Sequence, residues 1–412
     1  MKPTPGELSS TGRLRLAYVV SHPIQYQAPL LRRLAQEPDI DLTVLFGSDF
    51  SVRGYKDEGF GVEVTWDIPL LEGYRSEFLP SLRDTGGLSA TSPISRGILK
   101  RLRNSDGTPA FDALWVHGYA SVNALHAILA ANALGIPVLL RAESWLADRS
   151  RSPLKLAIKS AFLKVLRHGI AATLPIGSVN GAYWAHYFGE DFPQFLVPYA
   201  VDNAYFARLA DRSTDAVVAL RTQLNLEPGR PIILFASKLQ TRKHCDHLVE
   251  AYRNLLASNK TPTPYLVIVG DGEERANLEA LCRDLPGVRF AGFQNQSALP
   301  AFFRLADVFV LPSRHEPWGL IVNEAMAAGC PVIVSTDVGS GPDLVTNGVE
   351  GFIYPVGDVT ALTAALAHTL LNPETSAAMG EAARQRIATW GFEQDIAGLR
   401  NALAFTTRKL RP

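Results

Sequence analysis

Residues 312–335 read PSRHEPWGLIVNEAMAAGCPVIVS, with seven mostly uncharged residues between two glutamates, Glu316 and Glu324. The preceding run Val308–Leu311 reads as a buried strand, and Pro331–Val334 leads into another. Between them Ala325–Ala328 favours helix, and Gly329 ahead of Cys330–Pro331 reads as its stop. A residue before proline avoids the α region, so Glu316 is extended and the helix starts at or after Pro317. Glu316 then sits in a loop at the carboxyl end of a strand, where an open parallel sheet binds its ligands. Glu324 lies one to two turns into the helix. The free N–H groups of Trp318 to Ile321 at the helix start attract an anion. The pattern predicts an anionic ligand on those amides, with an acid on each side for neutral hydroxyls. A solvated loop acid and an ordinary helix acid would leave the same spacing.

Outward from this unit, short apolar runs alternate with helical segments over almost the whole chain. Strands are predicted at Leu16–Val20, Leu42–Phe46, Ala113–Val116, Val138–Leu140, Ile170–Leu174 and Phe195–Val197. A second set falls at Ile232–Ala236, Tyr265–Val269, Val288–Ala291, Val308–Leu311, Val332–Val334 and Phe352–Tyr354. Such alternation argues for two parallel, helix-covered sheets. The predicted division is a polar tail at 1–13, a first domain at 14–205, a linker at 206–229 and a second domain at 230–390. A last amphipathic helix within 391–412 is free to cross back to the first domain. Residues 76–109, rich in Gly, Ser, Pro and Arg, read as a loop or mobile insertion.

The 412 residues are 47% hydrophobic and 19% charged, enough for a large core and too many for one ordinary domain. Forty basic residues balance forty acidic ones, which argues against a nucleic-acid binder held by a general positive field. Three cysteines without CxxC spacing fit a reducing compartment and predict no zinc site; the metal expectation is none. The first residues lack an apolar signal core, and no apolar run approaches the roughly 20 residues that span a bilayer. A cytoplasmic protein is expected, with peripheral contact at the inner membrane face left open. Residues 151–167 are basic and apolar, but on a wheel of about 100° per residue Lys164 falls opposite Lys155. That reads as a partly buried domain helix. Asp39-Ile40-Asp41 has the spacing of a metal–nucleotide site, but it opens a strand and reads as a surface turn.

Several stretches carry chemistry. ILFASKLQTRKHCDHLVEAY puts Lys238 and Lys243 in one loop between strand and helix. Two ammoniums there can converge on a diphosphate, each charge pair gaining roughly 4 kcal/mol at about 4 Å before desolvation; a solvated basic loop is the competing reading. YLVIVGDGEERANLEAL sets Gly270 and Asp271 in a turn that lacks the third glycine of a dinucleotide fingerprint. It fits a tight turn giving a base or ribose access to backbone. In the first domain His22, Gln25 and Tyr26 follow the first strand, His117 ends another, and Arg141 and Glu143 end a third. Polar groups at three strand ends suggest the opposite wall of a cleft, with acceptor-side roles.

Taken together, these motifs resemble the retaining glycosyltransferases of family 4, which have the GT-B fold. The likeness is most specific over about 231–358. RHEPWGLIVNEAMAAGCPVIVS is similar to the family's E-x7-E segment, ASKLQTRK to its GRLxxxKG loop and IVGDGEER to its GDG turn. VRFAGF resembles its base-contacting strand and NGVEGFIYPVGD its late loop. VPYAVDNAYF and VHGY are thinner matches, to the PNGVD approach and to the active-site histidine. The expected fold is therefore α/β of GT-B type, two Rossmann-like domains with parallel sheets facing across a cleft.

The resemblance implies that Glu316 faces the donor sugar and Glu324 the ribose, and that His117 contacts the transferred sugar. The amides of Gly319, Leu320 and Ile321 meet the diphosphate clamped by Lys238 and Lys243, and Phe293 lies beside the base. The implied reaction moves a hexosyl-type sugar from a UDP or GDP sugar to a hydroxyl of a glycan, lipid-linked or small-molecule acceptor. It proceeds with retention and without metal or cofactor, in polysaccharide, glycolipid or glycoconjugate assembly. A nucleotide-sugar epimerase of the same fold and a non-catalytic sugar-nucleotide-binding protein are the alternatives. Departures are Lys238 for arginine, His244 for glycine, SHPIQY for a glycine pair and PYAVD for PNGVD.

Overall fold

Two six-stranded parallel sheets carry the chain, within a computed structural model that describes residues 12–57, 59–146, 152–258 and 263–408. The predicted N-terminal tail lies outside them as far as residue 11. The first sheet runs, in spatial order, Ala172–Thr173, Val138–Arg141, Ala113–His117, Leu14–Val20, Ile40–Phe46 and Arg75–Phe78. The second runs Val288–Gly292, Tyr265–Val269, Ile232–Ala236, Val308–Leu311, Val332–Ser335 and Gly351–Tyr354. Strand interiors are almost wholly apolar because helices cover both faces. In each sheet the connections diverge at one central pair, Leu14–Val20 with Ala113–His117 and Ile232–Ala236 with Val308–Leu311. Crevices for ligands open above such points.

Three expectations are corrected and one is made specific. Phe195–Val197 forms no regular strand: the Phe195 N–H donates to the Thr173 carbonyl at 3.1 Å and the Val197 N–H to the Pro175 carbonyl at 2.8 Å, but the flanking Pro193 and Pro198 lack N–H donors, and the pairing is confined to an isolated bridge of Gln194 with Thr173. Residues 76–109 are not one loop. Arg75–Phe78 closes the sheet edge, Ser81–Arg83 pairs with Ile94–Ser95, and the helix Ile98–Leu102 is anchored by buried Ile98 and Leu102. The supposed linker contains helices Asn203–Asp211 and Thr214–Gln223, and Phe206, Ala210, Leu224 and Leu226 pack with Ile232 and Leu234 of the second sheet. The helix Pro153–Arg167 is partly buried as expected, through Leu163 and Leu166.

The helix Phe392–Arg408 leaves the second domain and packs on the first. Ile396, Leu399, Ala402 and Leu403 join Tyr18, Trp115 and Leu139 in one core. Arg400 binds Asp39 at 2.6 and 2.9 Å, so the DxD spacing serves this crossing. Deeper in, Arg141 donates to Asp395 at 3.0 Å and to the Val197 carbonyl at 3.0 Å, with both ionic side chains almost fully buried.

Removing one partner of a buried ion pair strands the other, at a cost of about 3–5 kcal/mol. Arg141→Met should therefore lower the urea midpoint sharply, and adding Asp395→Leu should recover most of the loss. A double variant no more stable than the single one would contradict the clamp.

Candidate active site

The second-domain wall stands over the divergence of Ile232–Ala236 and Val308–Leu311. The loop after the first of these strands ends in a short turn, Thr241–Lys243, that carries Lys243 inward. Lys243 is 6% exposed and its ammonium contacts the Glu316 carboxylate, with Arg242 at 3.7 Å from the same group. Burial lowers the Lys243 pKa; Glu316 opposes that shift and Arg242 adds to it. Glu316 is held extended, bridged to Val338, and the helix Leu320–Ala327 begins at Gly319 with φ +86°. The amides of Gly319, Leu320 and Ile321 have no acceptor within that helix. Glu324, 8% exposed, has one weak side-chain partner, Gln296 at 3.4 Å, and burial pushes its pKa up to about 8. A buried carboxyl without a cation is suited to exchanging hydrogen bonds with hydroxyls.

Gly270 has φ +131°, and a Cβ there would stand 1.9 Å from the Ser237 carbonyl oxygen. Only glycine lets this turn press against the Lys238 loop, where the Leu239 N–H donates to the Asp271 carbonyl at 2.8 Å. The Asp271 carboxylate instead faces Arg275 at 3.4 Å. This turn braces the lysine loop through its backbone.

The sequence had singled out nothing between residues 50 and 70, yet this first-domain segment reaches across the cleft. Asp57 takes the Lys238 ammonium with both oxygens, at 2.7 and 2.9 Å. Phe60 packs edge-on against Phe293 with centroids 4.8 Å apart, and Asn295 donates to the Thr65 carbonyl at 2.7 Å. Ser297 binds Asp67. The segment lies over the second-domain loops as a cover. Its residues belong to no recognisable motif, which is why composition and spacing passed over them.

The first-domain wall is a connected polar cluster. Tyr18 donates to Gln27 at 2.8 Å, and Gln27 lies 3.3 Å from Nδ1 of His117. His117 Nε2 is 3.6 Å from Glu143, which also accepts from Tyr26 at 3.0 Å and from Tyr199. Burial pushes the Glu143 carboxyl up, but His117, Tyr199 and Tyr26 more than offset that and hold it near 2. Its side chain remains 39% exposed toward the cleft. His22 stacks on Phe50 at 4.6 Å, and burial, with the charge of His117, brings its pKa down to about 4. Gln25 is half-buried in the same turn. A pocket of about 310 Å³ opens beside His117, lined by Ser21, Ser89, Ser92, Gly118 and Asn123.

Arg141 is the exception among the predicted acceptor-side residues. It is turned into the core, its guanidinium 4.5 Å from the Tyr199 ring and bound to Asp395. A strand-end arginine in sequence can point to either side of the sheet, and here the returning helix supplies a buried partner. Gln27 and Tyr199 were missed. Gln27 directly follows the quoted SHPIQY, and Tyr199 occupies the departure PYAVD. The Tyr199 carbonyl also accepts from Asn323 at 3.1 Å and from Trp390 at 3.0 Å, tying one wall to the other.

Among the described residues, one group of three could ligate a metal, His244, Asp246 and His247, with ligand atoms within 4.8 Å of one another. Sequence spacing had given no metal site. The His244 pKa is lowered by burial first and then by His247 and Arg314, with Asp246 and Asp337 opposing the shift.

With this geometry in place, comparison with known proteins becomes informative. Residues 219–386 match the family model described as Glycosyl transferases group 1. Over 148 residues the chain is 36% identical to an uncharacterised glycosyltransferase of Methanocaldococcus jannaschii, covering 35% of this chain and 37% of that protein. It is 32% identical over 211 residues to a GDP-mannose-dependent alpha-(1-6)-phosphatidylinositol monomannoside mannosyltransferase of Mycolicibacterium smegmatis, covering 49% and 53%. The chain thus spans about a third to a half of the length of such relatives. Across nearly the whole molecule it superposes on Anabaena HepE, solved with UDP, at TM-score 0.71 and 16% identity, covering 95% and 99%. Sucrose-phosphate synthase of Thermosynechococcus elongatus gives 0.65 at 20%, covering 97% and 99%. The fold is GT-B, and the match to the group 1 glycosyltransferase model falls within its second half.

The raised pKa of Glu324 gives a test of its burial. Between about pH 4.5 and 8 the folded protein holds a proton that the unfolded chain has released, so this group's contribution to stability falls as pH rises. Glu324→Gln should flatten that part of the profile and gain roughly 3–5 kcal/mol relative to the native chain by pH 8. Parallel profiles of the two proteins in urea titrations would contradict a carboxyl held protonated.

Proposed function

We propose that the chain is a retaining, family 4 glycosyltransferase, moving a hexosyl-type sugar from a nucleoside-diphosphate sugar to an acceptor hydroxyl. The observation that carries this reading is the pairing of Lys243 with Glu316 and of Lys238 with Asp57 beside an open helix start. Both cations are balanced by carboxylates that a diphosphate can replace. The printed names of several relatives are GDP-mannose-dependent mannosyltransferases, and HepE was solved with UDP-glucose; the base is UDP or GDP type.

In this reading the diphosphate lies on the Gly319, Leu320 and Ile321 amides, with Lys243 and Lys238 on its oxygens. Negative charge grows there as the glycosidic bond breaks, and fixed cations and amides stabilise it without rearranging. Released from Lys243, Glu316 faces the sugar hydroxyls, and Glu324 takes those of the ribose beside Phe293. The acceptor hydroxyl approaches on the face the diphosphate leaves, and a phosphate oxygen accepts its proton, so Glu316 forms no covalent intermediate. His117, positioned by Gln27, Glu143 and Tyr199, meets the transferred sugar. The pocket beside it mixes hydroxyl and amide groups from Ser21, Ser89, Ser92 and Asn123 with apolar Val20, Leu88 and Pro93, which suits an uncharged acceptor. The chemistry draws on no metal or cofactor, and a glycan or glycolipid assembly step at the cytoplasmic face fits the lipid acceptor named for one relative.

UDP-, GDP- and ADP-sugars should be offered in turn and scored by melting temperature and by slow release of free nucleotide, with the product anomer read by NMR. At least one donor should stabilise the protein and yield a product with its own anomeric configuration; no response to any donor at millimolar concentration would end the assignment. Lys243→Ala should weaken donor binding roughly 30-fold or more, whereas Lys164→Ala should leave it unchanged. Because Asp57 competes with the donor for Lys238, Asp57→Asn should tighten donor binding about two- to fivefold at low salt. Weaker binding would show that Asp57 assists the donor.

A further inference from the structure

We propose that the helix Pro153–Arg167 is a docking face for an anionic lipid bilayer, and that it delivers the acceptor side of the cleft to that surface. The helix is inverted relative to an ordinary surface helix. Its inner side rests on the first domain through Leu163 and Leu166, which join Tyr183 and Trp184 in the core. Its outer side carries Leu154, Ile158, Phe162 and Val165, which are 71, 61, 38 and 74% exposed. At about 100° per residue these four fall within an arc of about 80°, one continuous apolar stripe along the helix. Leu156, 41% exposed, lies off the stripe.

Charge decides what covers that stripe. The helix holds Lys155, Lys159, Lys164 and Arg167 and no acid, in a chain whose formal net charge is zero. Lys159 is turned to the protein, 4.6 Å from the centroid of the Tyr183 ring. Lys155 and Lys164 flank the stripe on opposite sides, so the placement that speaks against a basic face in sequence supplies a positive border around an apolar strip. Such a border lets the ammoniums reach phosphate headgroups while the strip enters the acyl boundary. A docking partner made of protein would need an acidic rim of matching shape, whereas an anionic bilayer supplies negative charge along the whole length. No described helix is long and apolar enough to cross a membrane, so contact here is interfacial.

The placement has a consequence for substrate. Phe162 of this helix packs on Tyr119 with ring centroids 6.3 Å apart, and Tyr119 directly follows His117 and Gly118, which line the pocket. Docking therefore sets the pocket beside His117 close to the headgroup layer. Resting on the proposed function, this deepens it: the acceptor hydroxyl is borne by a lipid-anchored molecule.

The full chain should be sedimented with vesicles of phosphatidylcholine alone and with vesicles containing phosphatidylglycerol, before any activity is measured. Binding should be confined to the anionic vesicles. Ile158→Ser with Val165→Ser should abolish it, and Lys155→Gln with Lys164→Gln should weaken it roughly 20- to 30-fold. All four positions lie outside the core, so melting temperature and donor binding should not change. Equal binding to both vesicle types, or variants that bind like the native chain, would overturn the proposal. A native dimer that Val165→Ser dissolves would do the same by assigning the stripe to a second copy. Vesicle binding without any donor binding would retain the docking face and reject only the lipid-borne acceptor.

Discussion

A buried ammonium cannot stand without an anion, and Lys243 sets that requirement at the centre of the cleft. Desolvation of a lysine costs several kcal/mol unless a close counter-charge repays it, and Glu316 is the group that repays it here. The pair fixes the loop after Ile232–Ala236 against the loop after Val308–Leu311, which are the two connections that diverge at the sheet centre. The remaining features of the second wall follow. The helix start is held at Gly319, the Gly270 turn presses on the lysine loop from behind, and Glu324 lies one turn deeper, where no cation reaches it.

The walls face each other because the chain crosses between the domains twice. The first crossing carries Tyr199, whose hydroxyl meets Glu143 while its carbonyl holds Asn323 and Trp390. The second is the C-terminal helix, locked to the first sheet by Asp395 on Arg141. Arg141 also holds the carbonyls of Val197 and Pro198, just ahead of Tyr199. One buried guanidinium therefore ties both crossings together and orients Tyr199 toward Glu143. A residue that looks like an acceptor ligand in sequence instead positions the residue that completes the cluster.

What the sequence made legible was local. Five runs of the second sheet lack a polar face, so Ile232–Ala236, Tyr265–Val269 and Val308–Leu311 could be bounded to the residue by their turn and proline signals. The edge strand Arg75–Phe78 was hidden, because its residues RSEF carry no apolar periodicity and it is held by its partner's backbone. Glu316, Lys243 and His117 were legible because motif spacing and strand ends locate them. Asp57 and Tyr199 were not. Their roles depend on contacts 181 and 56 residues away in the chain, with Lys238 and Glu143 respectively. Arg141 shows the opposite failure: position at a strand end was read correctly, but its direction was set by a helix that arrives 254 residues later.

The covering segment supplies one of the two carboxylates that balance the lysines of the second wall. With Asp57 on Lys238 and Glu316 on Lys243, the cleft is electrically balanced while no donor is present, and the lysine loop keeps its shape without a ligand. Under the proposed function an entering diphosphate replaces two separate carboxylates with one group of two or more negative charges held by the same ammoniums. The displaced carboxylates then have different fates. Glu316 is anchored by backbone bonds to Asp337 and Gly339 on the second domain, so its backbone keeps its place on that wall. Asp57 belongs to the first domain and takes the cover with it, since Phe60, Thr65 and Asp67 contact Phe293, Asn295 and Ser297 along the same edge. The Lys238 pair and the contacts of the cover thereby lie along one edge, and under the proposed function donor entry exchanges that pair.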